Sequence, residues 1–127
     1  MVDTLLYVFY SSIHTLMPDD SEVLLKGTLD MLILKALDLA PMHGWGIGER
    51  IAQLSQNVFQ LQTGTLYPAL QRLLRRGWLT AEWRTTENGR KARYYKLTAS
   101  GRQQLLTERS SWDRASLAVR RILNAES

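Results

Sequence analysis

The chain has 127 residues, with 16 Lys and Arg against 12 Asp and Glu, a net charge of +4. That length holds one domain with a single modest core, and 45% hydrophobic residues exclude a disordered chain. Cysteine is absent, which excludes disulfides, thiol chemistry and the usual zinc motifs; the two histidines, His14 and His43, have no partner at ligand spacing, so neither a metal nor a cofactor is expected.

The opening "MVDTLLYVFYSSIHTLM" is apolar. A secretory signal would want a positive start, whereas the first charge is Asp3, and no window has the length of a membrane span. Residues 1–20 read as an N-terminal arm or short extra helix of a cytoplasmic chain with no membrane partner. The cluster "PDDSE" then places acids at a helix start. Leu25, Leu29, Leu32, Ile33, Ala36 and Leu37 follow at helical spacing, and Pro41 ends that helix. Ile47, Ile51 and Leu54 mark a second, shorter helix. Gly44, Gly46 and Gly48 at its start imply close packing or a sharp turn.

A third helix follows the connector "NVFQLQ". Thr63 is its expected N-cap, Leu66, Leu70 and Leu73 its buried stripe, and Gly77 its stop. Pro68 lies early, where a missing N–H does least harm. From Trp78 the period changes to two: Leu79, Ala81 and Trp83 alternate with Thr80, Glu82 and Arg84. Asn88-Gly89 signals a hairpin turn, and the return strand runs from about 92 to 97. Trp83, Tyr94 and Tyr95 are expected in the hairpin core in preference to base-stacking positions. Thr98 and Ser100 cap a last helix reaching about Asn124, with Leu105, Trp112, Ala115, Val119 and Ile122 on one seam interrupted by Glu108.

The expected fold is mainly α with a small β-hairpin. It comprises an arm (1–20), a winged helix-turn-helix domain (21–97) and a C-terminal dimerisation helix (98–127). Charge is distributed unevenly over it. Residues 1–71 hold Lys26, Lys35 and Arg50 against seven acids, whereas residues 72–102 hold nine basic side chains against Glu82 and Glu87. A charge run is usually a solvated face. Here, however, the basic block coincides with the third helix and the hairpin, which suits phosphate.

The side of the third helix opposite its leucines carries Gly64, Pro68, Gln71, Arg72 and Arg75. A major groove admits one helix, whose N-terminal half meets base edges. Thr63, Gly64 and Thr65 at the start permit close approach, and a helix N-terminus can donate to phosphate. Gln71 matches adenine, and Arg72 matches guanine or phosphate. Tyr67 suits a phosphate contact and packing on the hairpin about equally. Arg76 suits the helix dipole. The hairpin tip, Asn88 and Gly89 with Arg90, Lys91 and Arg93, would lie along the neighbouring backbone or in the minor groove. The expected partner is double-stranded DNA. A winged-helix module for protein–protein contact is the alternative, but it would have no need of a basic wing. No catalytic residue is expected: Asp19, Asp20 and Glu22 sit at a helix start, where carboxylates are routine.

The segments "LLKGTLDMLILKAL", "HGWGIGERI", "GTLYPALQRLLRRGWL" and "GRKARYYKLTASG" resemble, in order, the signatures of PadR-type transcriptional regulators, over about Leu24 to Trp112. The resemblance implies a homodimeric DNA-binding repressor of the subgroup with one C-terminal helix. It places Thr65, Tyr67, Pro68 and Arg72 in the recognition helix and Gly89, Arg90 and Arg93 in the wing. Trp112 stands fourteen residues after Thr98, where members often carry a dimer-interface tryptophan. In some members that interface admits flat aromatic effectors; a plain dimer anchor is the favoured role for Trp112, and a small aromatic effector is the sharper alternative. Trp45 stands where a tyrosine is more usual. The first twenty residues have no counterpart in short members and are either an added helix or the product of a start codon set too far upstream. A seam with no partner left inside so small a domain points independently to a second copy and two-fold symmetry.

Overall fold

The computed structural model describes residues 28–127, so the expected N-terminal arm and the first residues of the first helix, Leu25 included, lie outside the described residues. Helix α1 spans Leu29–Leu39 and buries Ile33, Leu34, Ala36 and Leu37. It stops where Pro41 forces Ala40 into extended backbone, at φ −172° and ψ 151°. The Arg50 guanidinium then donates to the carbonyls of Ala36 (2.9 Å) and Ala40 (3.3 Å), satisfying oxygens that a helix end leaves open.

Strand β1, Met42–His43, leads directly into α2, Gly44–Leu54. His43 is the N-cap of α2, its Nδ1 accepting from the Gly46 N–H at 2.9 Å. Two of the three glycines of α2, Gly44 and Gly46, are closely packed, whereas Gly48 has room for a Cβ. A Cβ on Gly44 would lie 2.7 Å from the Tyr67 ring, and one on Gly46 would lie 2.6 Å from the Met42 side chain. Ile47 and Ile51 are buried, but Leu54, expected on the same stripe, is exposed, because the helix has passed the edge of the core by then. The connection to α3 turns on two consecutive residues with positive φ, Gln56 (54°) and Asn57 (67°).

Helix α3 spans Thr63–Arg75. Thr63 is its first residue and not its cap: Gln62 holds the cap position without a side-chain bond, and its carbonyl accepts from Thr65 and Leu66. Phe59 and Leu61 pack against the core in the preceding connector and fix the entry of the chain one residue earlier than capping preference suggests. Gly77 (φ +76°) ends the helix. Its N–H donates to Leu74 and that of Trp78 to Leu73, the paired bonds of a left-handed helix stop.

Strands β2, Leu79–Thr85, and β3, Lys91–Leu97, form the expected hairpin. The sheet has three strands in the order β1-β3-β2, because Met42 and His43 pair with Tyr95 and Tyr94. At the tip Gly89 (φ +78°) takes the left-handed conformation but Asn88 does not. The Thr86 N–H donates to the Arg90 carbonyl and the Gly89 N–H to that of Thr86, closing the turn between the strands.

Helix α4, Ala99–Leu123, opens on Thr98, whose hydroxyl accepts from the Gly101 N–H (2.9 Å) and donates to the Gly77 carbonyl (2.8 Å). One threonine therefore joins the end of α3 to the start of α4. The core unites Ile33, Leu34, Ile47, Leu66, Leu70, Leu73, Leu79, Tyr95, Leu97 and Leu105. The described residues thus form four helices and a small antiparallel sheet, the winged-helix architecture expected, with the first turns of α4 built into the same core.

Candidate nucleic-acid interface

Burial of Leu66, Ala69, Leu70 and Leu73 fixes the rotation of α3. Thr63, Gly64, Tyr67, Pro68, Gln71 and Arg75 are consequently exposed, and Gly64, Pro68, Gln71 and Arg75 line one stripe from the first turn to the last. No side chain caps the first turn. Thr65 is half-buried. The Tyr67 ring packs over Gly44, so this aromatic holds α3 to the start of α2 while remaining partly exposed.

Arg72 is placed differently from its expected free position. Its guanidinium forms a charged hydrogen bond with Asp30 of α1. The long stem lets a residue beside the exposed stripe reach a carboxylate on the next helix, so in the free protein Arg72 sets the pose of α3. Arg76 lies 5.2 Å from the Trp78 ring centroid, a structural contact.

On the wing, Asn88, Gly89, Arg90 and Lys91 are exposed at the tip and Arg93 is half-buried, its guanidinium 5.9 Å from the Tyr95 ring centroid. Burial raises the Tyr95 hydroxyl pKa above its ordinary value; Arg93 pulls it back and Tyr67 pushes it further up. Arg84, on the opposite face of the sheet, is neutralised by Glu82 at 2.5 Å. Trp83 is not in the hairpin core: it is 69% exposed, because the sheet runs beyond the helices that would cover it. Trp45 is likewise 66% exposed, stacked on His43 with 6.1 Å between centroids. Alternating apolar spacing concealed the exposure of Trp83.

The α4 seam divides in two. Leu105, expected at a dimer interface, is 6% exposed and belongs to the core of its own domain, because α1 covers the first turns of α4. Trp112 (48% exposed), Ala115, Val119 and Ile122 continue the stripe beyond the domain and are exposed in the single chain.

Between these regions sits Glu108, with one carboxylate oxygen buried and without a hydrogen-bond partner. Burial pushes its carboxyl above the ordinary value of 4.5, and Asp30 adds to the rise. A hydrogen bond with Gln104, together with Arg72 and Arg76, works the other way. Folding therefore favours the protonated form: this contribution is present below the ordinary carboxylate range and is lost as pH rises through the folded value. Glu108→Gln preserves the shape without the charge. At fixed protein concentration its thermal melt should coincide with that of the parent at about pH 4 and lie roughly 2–4 °C higher at neutral pH. A difference independent of pH would contradict this account.

No helix among the described residues is long and apolar enough to cross a membrane. The model of the transcriptional regulator PadR-like family matches residues 33–107, more than half of the chain. A transcriptional regulator of Mycobacterium tuberculosis is 36% identical over 67 residues, 53% of this chain and 62% of that protein. The PadR family regulator of Eggerthella lenta superposes with a TM-score of 0.71 at 27% identity, covering 94% of this chain and 99% of its own. The PadR-like regulator of Bacillus cereus gives 0.70 at 25% identity, over 80% and 97%. With its fold, its order of elements and most of its folded length matched in this way, the chain belongs to the PadR-like family of transcriptional regulators.

Proposed function

We propose that the protein is a cytoplasmic homodimeric repressor that binds a roughly palindromic duplex. Helix α3 enters the major groove and the β2–β3 wing lies on the flanking backbone and minor groove. The observation that carries this reading is the exposed stripe of Gly64, Pro68, Gln71 and Arg75 beside a basic wing tip. The small residues admit the sugar–phosphate backbone, the uncapped first turn can donate to phosphate, and Gln71 can read adenine. Arg72, tied to Asp30, positions the helix in the free protein. Arg90, Lys91 and Arg93 supply phosphate contacts that fix orientation without reading sequence.

Dimerisation falls to the exposed half of α4. Trp112, Ala115, Val119 and Ile122 present a stripe that a second copy covers, which sets two recognition helices about one helical turn of DNA apart. Trp112 acts there as an anchor, beside which a flat aromatic effector would bind if the regulator has one. The division into an arm (1–20), a DNA-binding domain (21–97) and a dimerisation helix (98–127) belongs to the same proposal.

Gln71→Ala tests the base-reading role. Its binding to the correct operator should weaken by about 1–3 kcal/mol, while binding to unrelated duplexes stays unchanged. A uniform loss on all duplexes would reduce Gln71 to a backbone contact.

A further inference from the structure

The pairing register shows which wing residues share a face. Leu79 opposes Leu97, Ala81 opposes Tyr95, Trp83 opposes Arg93 and Thr85 opposes Lys91. These four pairs alternate with the others and lie on one face of the sheet. The first two are the core: Leu79, Tyr95 and Leu97 are all buried. The third, Trp83 with Arg93, is the first pair beyond the edge of the core.

Two properties of that pair point to one kind of occupant. Trp83 is 69% exposed, a large aromatic surface left in water on the inner side of the wing. Its cross-strand neighbour is a cation that none of the ion pairs among the described residues neutralises, with Lys91 next along the same face. On the outer face, by contrast, Glu82 answers Arg84. An apolar protein partner would bury the charges of Arg93, held by the Tyr95 ring and hydroxyl, and of Lys91 without a counter-charge, at a high cost. A nucleic-acid strand offers both an apolar sugar face and an anionic phosphate at adjacent positions. The face is also continuous with α3, since Leu79, Tyr95 and Leu97 on it share one buried core with Leu66, Leu70 and Leu73.

We propose that Trp83 and Arg93 together grip one wall of the minor groove, the indole lying on a deoxyribose and the guanidinium on the adjoining phosphate. This rests on the DNA-binding reading and assigns a contact residue within it. The two members of the pair contribute differently: the phosphate contact is salt-dependent, whereas the indole contact is apolar and is not.

The test compares Trp83→Ala, Trp83→Phe and the parent by affinity for labelled operator and unrelated duplex over a range of salt, and by hydroxyl-radical footprinting, which reports on deoxyribose exposure. Because Trp83 is exposed, the melts of all three should agree. Trp83→Ala should bind both duplexes about tenfold more weakly, the loss of one partly buried aromatic contact. Its salt slope should match the parent, and it should lose the sugar protection flanking the major-groove site. Trp83→Phe should restore most of both. Parent-like binding and footprint in Trp83→Ala would overturn the proposal while leaving DNA binding intact, and so would a change of oligomeric state. A parent that binds no duplex would overturn the proposal and the DNA-binding reading together.

Discussion

Gly101→Ala is expected to destabilise the domain by about 3 kcal/mol or more, at the upper end of what overpacking causes. A Cβ at this position would stand 2.1 Å from the Trp78 carbonyl oxygen and 2.7 Å from Leu97 Cδ1. The side chain could turn aside, but the carbonyl cannot. The Trp78 N–H is bound to Leu73 in the left-handed stop of α3, and its oxygen accepts from the Thr98 N–H at 3.1 Å. Moving that peptide would undo the junction of α3, β3 and α4 together. The melting temperature should fall by roughly 10–20 °C, measured by calorimetry at fixed protein concentration. A fall of only a degree or two would mean that α4 can pivot away from α3, contrary to the rigid junction described above.

The largest functional effect is expected from changing Arg90, Lys91 and Arg93 together to alanine. Their backbone hydrogen bonds at the tip, Thr86 to Arg90 and Gly89 to Thr86, do not depend on these side chains, so the hairpin should survive. Affinity for any duplex should fall roughly a hundredfold at low salt, and the slope of log affinity against log salt should become shallower by about 0.9 for each lost phosphate contact. Equal losses on specific and unrelated DNA are the signature of orienting contacts. An unchanged slope would remove the wing from the interface.

Most elements were legible because their signals are local. The leucines of α3, the glycine after it and the threonine before α4 each determine structure within a few residues. Strand β1 was not legible: two residues carry no alternation, and their partners, Tyr94 and Tyr95, stand some fifty positions away. The Arg72–Asp30 pair joins residues 42 apart, so the helical wheel placed Arg72 on the free side when its long side chain bends back to α1. Leu54, Trp83 and Leu105 share a cause. Periodicity shows which face of an element is apolar but not where the neighbouring element ends. The Leu54 and Trp83 stripes run past the core, and the α4 seam begins inside it. The exposed stripe of α3 was legible for the opposite reason, since its four leucine and alanine anchors fix the rotation unambiguously.

In the proposed function, the exposed side of α3 and the wing bind a specific duplex. The most direct measurement is fluorescence anisotropy of the purified protein with a labelled duplex from upstream of its own gene, at two salt concentrations, with and without excess unrelated DNA. Tight binding that weakens with salt and survives the competitor is the predicted result. Absence of binding even at low salt would contradict the account and leave the basic wing to a protein partner.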